Sequence, residues 1–206
     1  MIALVDYGAG NLTSVRKAFA ALGAEIATPQ RPGDLASARG IVVPGVGHFD
    51  ATTAIAGQWR DVIRARVEAG VPLFGICLGL QWLFSGSTEA PGVAGLGVFE
   101  GMCERLGEKG DSQQSPFSPL KVPHVGWNSL SLPRPSAILA NVPEDAQVYF
   151  THSYAAPVVA DTAAVTEYGV AFSAAVERDH VAGVQFHPEK SGEIGLLILR
   201  NWIDAL

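Results

Sequence analysis

Pro72-Leu73-Phe74-Gly75-Ile76-Cys77-Leu78-Gly79-Leu80-Gln81 is the stretch on which the fold turns. The run Val71–Ile76 is short, continuous and apolar, the pattern of a strand buried on both faces. It passes directly into a second apolar, helix-like segment, Leu78–Phe84. At the junction Cys77 stands between Gly75 and Gly79, which is the thiol version of the G-x-S-x-G elbow. A sharp strand-to-helix turn brings backbone against backbone, so side chains at Gly75 and Gly79 would clash. The turn also projects the sulfur out of the sheet. At a helix N-terminus the dipole favours a thiolate, and the first free N–H groups can receive a developing oxyanion. The plainer reading of the same segment is a small buried cysteine in a glycine-rich junction.

Upstream, strand and helix signals alternate. Ile2–Asp6 is a short apolar run followed by the turn Tyr7-Gly8-Ala9-Gly10. A helix begins near Asn11 or Thr13, with Leu12, Val15, Phe19 and Leu22 on one face and Gly23 as its stop. Ala24–Thr28 and Gly40–Val43 read as further strands, the latter ended by Pro44-Gly45-Val46-Gly47. Asp50 is expected to cap a helix that carries Trp59, Val62, Ile63 and Val67 and stops at Gly70. Apolar strands separated by amphipathic helices predict an α/β fold with a mostly parallel central sheet covered on both faces. Downstream, the runs Val148–Phe150, Ala163–Thr166 and Val181–Phe186 are expected to add antiparallel strands to that sheet. Gly107–Pro119 reads as a mobile loop without a motif, and Glu193–Ala205 as a closing helix. With no repeat and no long linker, the expectation is one domain over residues 1–206.

Composition narrows the function classes. Hydrophobic residues are 48% of the 206, enough for a sizeable core, and charged residues only 17%. The 20 acidic residues outnumber the 14 basic ones, giving a net charge of −6, and no basic block stands out; nucleic acid is disfavoured as a partner. Mean hydropathy is +0.23, but the longest apolar stretch, Val71–Phe84, is short and interrupted by Gly75, Gly79 and Gln81, so no membrane span is expected. The two cysteines, Cys77 and Cys103, form neither a CxxC nor a disulfide framework, and MIALVDYGAGN does not read as a signal peptide. A cytoplasmic setting is the expectation. His48, His124, His152, His180 and His187 show no metal-binding spacing, so neither metal nor cofactor is expected. Gly8-x-Gly10 lacks the third glycine of a dinucleotide-binding turn, Thr13 standing in its place.

A reactive cysteine needs a base. His187-Pro188-Glu189 follows the strand Val181–Phe186 and supplies one. In extended chain, residues two apart face the same side, and Pro188 stiffens the piece between them. Glu189 can then fix the tautomer of His187 and stabilise its imidazolium. Alone, the same tripeptide would pass for a surface turn with an ion pair.

Elbow and His-Pro-Glu together resemble the class I glutamine amidotransferases, in which a Cys-His-Glu triad removes ammonia from the glutamine side chain. Asp6-Tyr7-Gly8-Ala9-Gly10-Asn11, Pro44-Gly45-Val46-Gly47, His124-Val125-Gly126-Trp127-Asn128, Thr151-His152-Ser153-Tyr154 and His187-Pro188-Glu189-Lys190-Ser191 resemble one branch of that family, the glutaminase subunits of imidazole glycerol phosphate synthases in histidine biosynthesis. The resemblance implies Cys77 as nucleophile, His187 as general base and acid, and Glu189 as its orienter. It implies an oxyanion hole from the N–H groups of Leu78 and Val46, and glutamine held by Gly45, Gly47, Gln81 and the Ser153-Tyr154 backbone. It implies a heterodimer with a (β/α)8-barrel synthase that receives the ammonia, with Asn11, Trp127 and Lys190 at the interface. His152 and Tyr149 are ambiguous, and a hydrogen-bonded structural histidine is the reading for His152. A glutaminase of another branch, such as that of pyridoxal phosphate synthase, would keep the triad but lack His124–Asn128.

The oxyanion loop carries a further expectation. If pointing the Val46 N–H inward forces this β-branched residue towards positive φ, the working orientation is strained by roughly 1–3 kcal/mol. The site would then rest switched off until something, such as the partner with its ligand, compensates.

Overall fold

The computed structural model describes residues 1–107 and 120–206. Most of the Gly107–Pro119 stretch read as a loop therefore lies outside the described residues. Along the chain come β1 (Ile2–Leu4), α1 (Leu12–Ala21), β2 (Ile26–Ala27), β3 (Gly40–Val43), α2 (Gln58–Glu68), β4 (Leu73–Ile76) and α3 (Leu78–Leu83). They are followed by β5 (Gly86–Ser87), β6 (Met102–Arg105), β7 (His124–Ser129), β8 (Gln147–His152), β9 (Tyr154–Ala155), β10 (Thr162–Tyr168), β11 (Val170–Arg178), β12 (Val181–Val184) and α4 (Gly192–Asp204).

The main sheet has seven strands in the order β10-β11-β12-β4-β3-β1-β2. From β12 through β2 every neighbour pair is parallel, and β10 and β11 join as an antiparallel hairpin. Strand residues alternate between two apolar layers, as the period of two demands. Ile2, Leu4, Val42 and Phe74 pack with Val15 and Phe19 of α1 and Ile198, Leu199 and Trp202 of α4. Ala3, Val5, Ile41, Val43 and Leu73 pack on the other face with Ile63 of α2 and Leu80 and Leu83 of α3. Trp202 ties the first layer together, with its ring centroid 5.4 Å from that of Phe74 and 6.2 Å from that of Phe19.

Three expectations are corrected. Asp50 does not cap the helix bearing Trp59: residues Phe49–Ile55 form a separate 3-10 turn, the helix starts after Gly57, and the His48 side chain accepts the Asp50 N–H at 3.1 Å. Gly57 at φ +58 explains the break, since this positive-φ turn separates the two segments. The run at Val181 is not an antiparallel addition throughout, because β12 lies parallel to β4, with Val184 opposite Ile76. Nor does the run at Val148 extend the sheet. β7 and β8 form their own two-stranded antiparallel pair, which covers the end of the sheet where the functional residues gather.

Among the described residues no helix is long and apolar enough to cross a membrane.

Candidate active site

The C-terminal ends of β3, β4 and β12, three adjacent parallel strands, carry the three segments singled out in the sequence. Crevices at such strand ends are where open α/β sheets bind ligands.

From β4 the chain turns abruptly into α3, and Cys77 takes the turn at φ +54, one of four non-glycine residues at positive φ among those described. A non-glycine residue held there costs roughly 1–3 kcal/mol and persists only where its surroundings over-determine it. Here they do. A Cβ on Gly79 would lie 1.8 Å from the Val43 carbonyl oxygen, and one on Gly75 would lie 2.7 Å from the Gly79 backbone. The Cys77 N–H is tied to the Val184 carbonyl at 2.7 Å, which places Cys77 beside the continuation of β12. Two residues beyond Gln185, that continuation carries His187.

The His-Pro-Glu segment forms a single 3-10 turn, Pro188–Lys190. It is locked from below. Ser191 donates its hydroxyl to the His187 carbonyl at 2.7 Å while its Oγ accepts the Tyr149 N–H at 2.9 Å. The His187 N–H in turn bonds the Tyr149 carbonyl at 2.9 Å. Within the turn, His187 Nδ1 lies 2.8 Å from Glu189 Oε1, with both side chains almost fully buried, at 3% and 2% exposure. Burial alone would lower the imidazole pKa; interaction with the Cys77 sulfur and the Glu189 carboxylate outweighs it and pushes the value up to about 10. The ring therefore favours its protonated form beside the sulfur. His187 Nε2 is buried and makes no hydrogen bond with any described residue.

A cavity of about 210 Å³ opens against the sulfur, lined by Cys77, Leu78, Gln81, Glu89, Gly47 and the segment Thr151–Tyr154, among others. Leu78, Gln81, Gly47, Ser153 and Tyr154, singled out in the sequence, all line this cavity. Gln81 is buried, and its amide nitrogen donates to the Tyr154 carbonyl at 2.8 Å and to Gln185 Oε1 at 3.1 Å. Leu106 N–H takes the Ser153 carbonyl at 2.9 Å. Both carbonyls of the Ser153-Tyr154 segment are thus engaged internally, which leaves a ligand their remaining groups.

Gly45 and Val46 sit beside this cavity without lining it. The Leu78 N–H points at the Gly45 carbonyl, 3.4 Å away, and Val46 is 38% exposed and not at positive φ. The peptide between Gly45 and Val46 thus presents its oxygen, not its N–H, to the mouth of the elbow.

Two further residues belong to the site and were not evident in the sequence. Gln185 is fully buried and donates to the Cys77 sulfur at 3.6 Å, linking it to Gln81. Glu89 brings a carboxylate into the cavity, its Oε2 accepting the Phe49 N–H at 2.7 Å. Nothing marks Glu89 in the linear sequence, whereas Gln185 stands only two residues before His187, the one signal that could have found it.

His152 is buried and bonded on both nitrogens, Nδ1 to the Tyr154 carbonyl at 2.9 Å and Nε2 to His124 Nδ1 at 3.1 Å, the arrangement of a structural histidine. Burial, above all, lowers its pKa to about 3 and that of His124 to about 4. Asn11 is exposed and caps α1, its Oδ1 accepting the Ser14 N–H at 3.2 Å. Trp127 lies within β7 and is 56% exposed. Its ring meets Tyr149 edge-on at 6.1 Å, and Lys190 Nζ lies 5.8 Å from the same tyrosine ring, so Trp127 and Lys190 flank one exposed spot.

The family model "Glutamine amidotransferase class-I" matches residues 3–205. The chain is 44% identical over 208 residues to the imidazole glycerol phosphate synthase subunit HisH of Moorella thermoacetica, covering 98% of this chain and 93% of that protein. It is 42% identical over 207 residues to the subunit of the same name from Methanothermobacter thermautotrophicus, covering 100% and 99%. Among solved structures, a glutamine amidotransferase superimposes with a TM-score of 0.73 at 19% identity over the whole of both chains. PurLQS from Thermotoga maritima gives 0.73 at 18%, covering 99% of this chain and 97% of that one; at these identities the likeness speaks for the fold. The chain belongs to the class I glutamine amidotransferases and, within them, to the glutaminase subunits of imidazole glycerol phosphate synthase.

Proposed function

We propose that this chain, as one domain over its full length, hydrolyses the side-chain amide of glutamine to glutamate and ammonia and hands the ammonia to a (β/α)8-barrel synthase in a cytoplasmic heterodimer. The observation that carries this reading is the convergence of Cys77, His187 and Glu189 at adjacent strand ends, next to a cavity of about 210 Å³. The Cys77 thiolate attacks the carboxamide carbon, and the electron pair of the C=O moves onto oxygen. As the C–N bond breaks, His187 gives its proton to the leaving ammonia. A water deprotonated by His187 then cleaves the thioester, restoring the thiolate. Glu189 holds Nδ1 throughout. Glu89 is suited to the α-ammonium group of the substrate, with Gln81, Gly45, Gly47 and the Ser153-Tyr154 segment around the rest.

The oxyanion hole is to be made by the N–H groups of Leu78 and Val46, and each such donor is typically worth about 2.7–4 kcal/mol. In this structure the first of them points at the Gly45 carbonyl, so we read the state as resting, with the partner shifting the loop to its working orientation. No metal or cofactor enters any step. At neutral pH free ammonia is mostly protonated and not nucleophilic, which gives the partner its reason to dock directly. Asn11, Trp127 and Lys190 are the interface residues of this reading.

The test is co-purification with the barrel synthase, followed by glutamate release with and without that partner. Release that depends on Cys77 and rises with the partner supports the reading. Release by a Cys77→Ala variant equal to that of the wild type removes it.

A further inference from the structure

We infer that Tyr7 is a positioning residue for the oxyanion loop, its hydroxyl donating to the Gly45 carbonyl once the Gly45–Val46 peptide has turned over. The inference rests on the glutaminase reading above and extends it to a residue which that reading does not use.

Tyr7 stands three residues past the end of β1 and packs against the apolar layer that includes Val43 and Leu80. Its hydroxyl oxygen is buried and has no hydrogen-bond partner among the described residues. It lies against Gly45: a Cβ on that glycine would come within 2.1 Å of the tyrosine oxygen. A buried hydroxyl without a partner is uncommon and unfavourable, and in a native structure it calls for a reason. The loop supplies one. In the present state the Gly45 carbonyl accepts the Leu78 N–H at 3.4 Å. Turning the peptide over frees Leu78 to face the oxyanion and leaves the Gly45 carbonyl in need of another donor. The unoccupied donor packed against Gly45 is the Tyr7 O–H. Burial, with the nearby Cys77 charge adding to it, raises the phenol pKa above its ordinary value, so Tyr7 stays protonated and able to donate. Tyr7 does not line the substrate cavity, so its effect runs through the loop and not through contact with glutamine.

The same atoms explain why residue 45 is glycine. A Cβ there would strike the Tyr7 hydroxyl and would also come within 2.7 Å of the Leu78 Cβ. Loop, elbow and tyrosine are thus packed as one unit.

The experiment compares wild type, Tyr7→Phe and Cys77→Ala as the isolated chain and in complex with the barrel synthase. It measures kcat and KM for glutamine and the thermal midpoint. Tyr7→Phe keeps the ring and removes only a hydroxyl that bonds nothing in the resting state, so the midpoint is expected not to fall. Losing one neutral hydrogen bond from the working state is expected to lower kcat by about tenfold while KM stays within about twofold. The deficit is expected to be largest where the working state is rare, and smaller in the complex if the partner already holds the loop over. A kcat within about twofold of wild type in both forms, a loss carried by KM, or a loss matched by a lower midpoint would overturn the inference while leaving the glutaminase reading intact. Full turnover by Cys77→Ala would instead overturn that reading, and the inference with it.

Discussion

Replacing Val46 by glycine should switch the resting site partly on. Turning over the Gly45–Val46 peptide rotates ψ of Gly45 and φ of Val46 together by about half a turn, which carries Val46 from its present region to positive φ. For a residue with a Cβ that conformation costs roughly 1–2 kcal/mol, and more for a β-branched one, whereas glycine enters it freely. The contact to be broken, Leu78 N–H to Gly45 carbonyl at 3.4 Å, is long and contributes less than the usual ~1 kcal/mol of a neutral hydrogen bond. Strain at Val46 is therefore the larger part of the barrier to activation. Because the residue is 38% exposed, removing its side chain forfeits only part of a buried valine's apolar contribution. Val46→Gly is expected to raise glutamine turnover by the isolated chain about 5- to 30-fold, the Boltzmann factor for 1–2 kcal/mol, with KM nearly unchanged. The added freedom of the unfolded chain costs about 0.5–1 kcal/mol of stability. Steady-state glutamate release gives the answer, and turnover equal to or below wild type would refute the argument that φ strain at Val46 holds the site off.

Three other outcomes follow from the same structure. Glu189→Gln keeps the shape of the partner of His187 Nδ1 but removes its charge, and kcat measured in the complex should fall by about three to four orders of magnitude, with a smaller change in KM. Stability should fall on both sides of pH 6.5. The unfolded chain protonates His124 and His152 below that pH while burial keeps them neutral in the fold, at about 4 and about 3, so their contribution is lost as pH drops, by up to about 1.4 kcal/mol per pH unit for each. His187, raised to about 10, contributes fully below 6.5 and loses its contribution as pH rises through 10; thermal midpoints across this range should show His152→Gln flattening the acid limb and His187→Gln the alkaline one. Trp127→Ala, or the pair with Lys190→Ala, should weaken binding to the barrel synthase by about 2 kcal/mol or more without changing the thermal midpoint of the isolated chain, as calorimetric titration would show.

What was legible in the sequence was whatever short-range chemistry dictates. Gly75 and Gly79 around Cys77 could be read because backbone contacts of 1.8 and 2.7 Å leave no room for a Cβ. His187 and Glu189 do lie side by side, but through the 3-10 turn Pro188–Lys190 and not through the extended chain from which the sequence argued it. The parallel half of the sheet followed from strands such as Ile2–Leu4, which are apolar on both faces. What escaped depended on distant partners. Val181–Val184 follows β11 across a tight turn and pairs antiparallel with it, yet lies parallel to β4 on its other side, and no local pattern reveals that second pairing. The β7–β8 pair is separate from the main sheet for reasons of topology that alternation alone does not encode. Glu89 and Tyr7 reach the site by folding across it, the first through the Phe49 N–H and the second against Gly45. Asp50 reads as a cap because an Asp before an amphipathic run resembles one, whereas Gly57 at positive φ breaks the chain between them.

The central claim is that the sulfur of Cys77 takes the acyl group of glutamine. Its most direct test is to treat the chain, bound to the barrel synthase, with a glutamine-mimicking electrophile and to map the adduct by peptide mass. The account predicts one adduct, on the peptide that carries Cys77, with ammonia release lost in proportion to labelling and glutamine protecting against both. Ammonia release that disappears while Cys77 stays unmodified, or that persists once Cys77 is fully labelled, would contradict it.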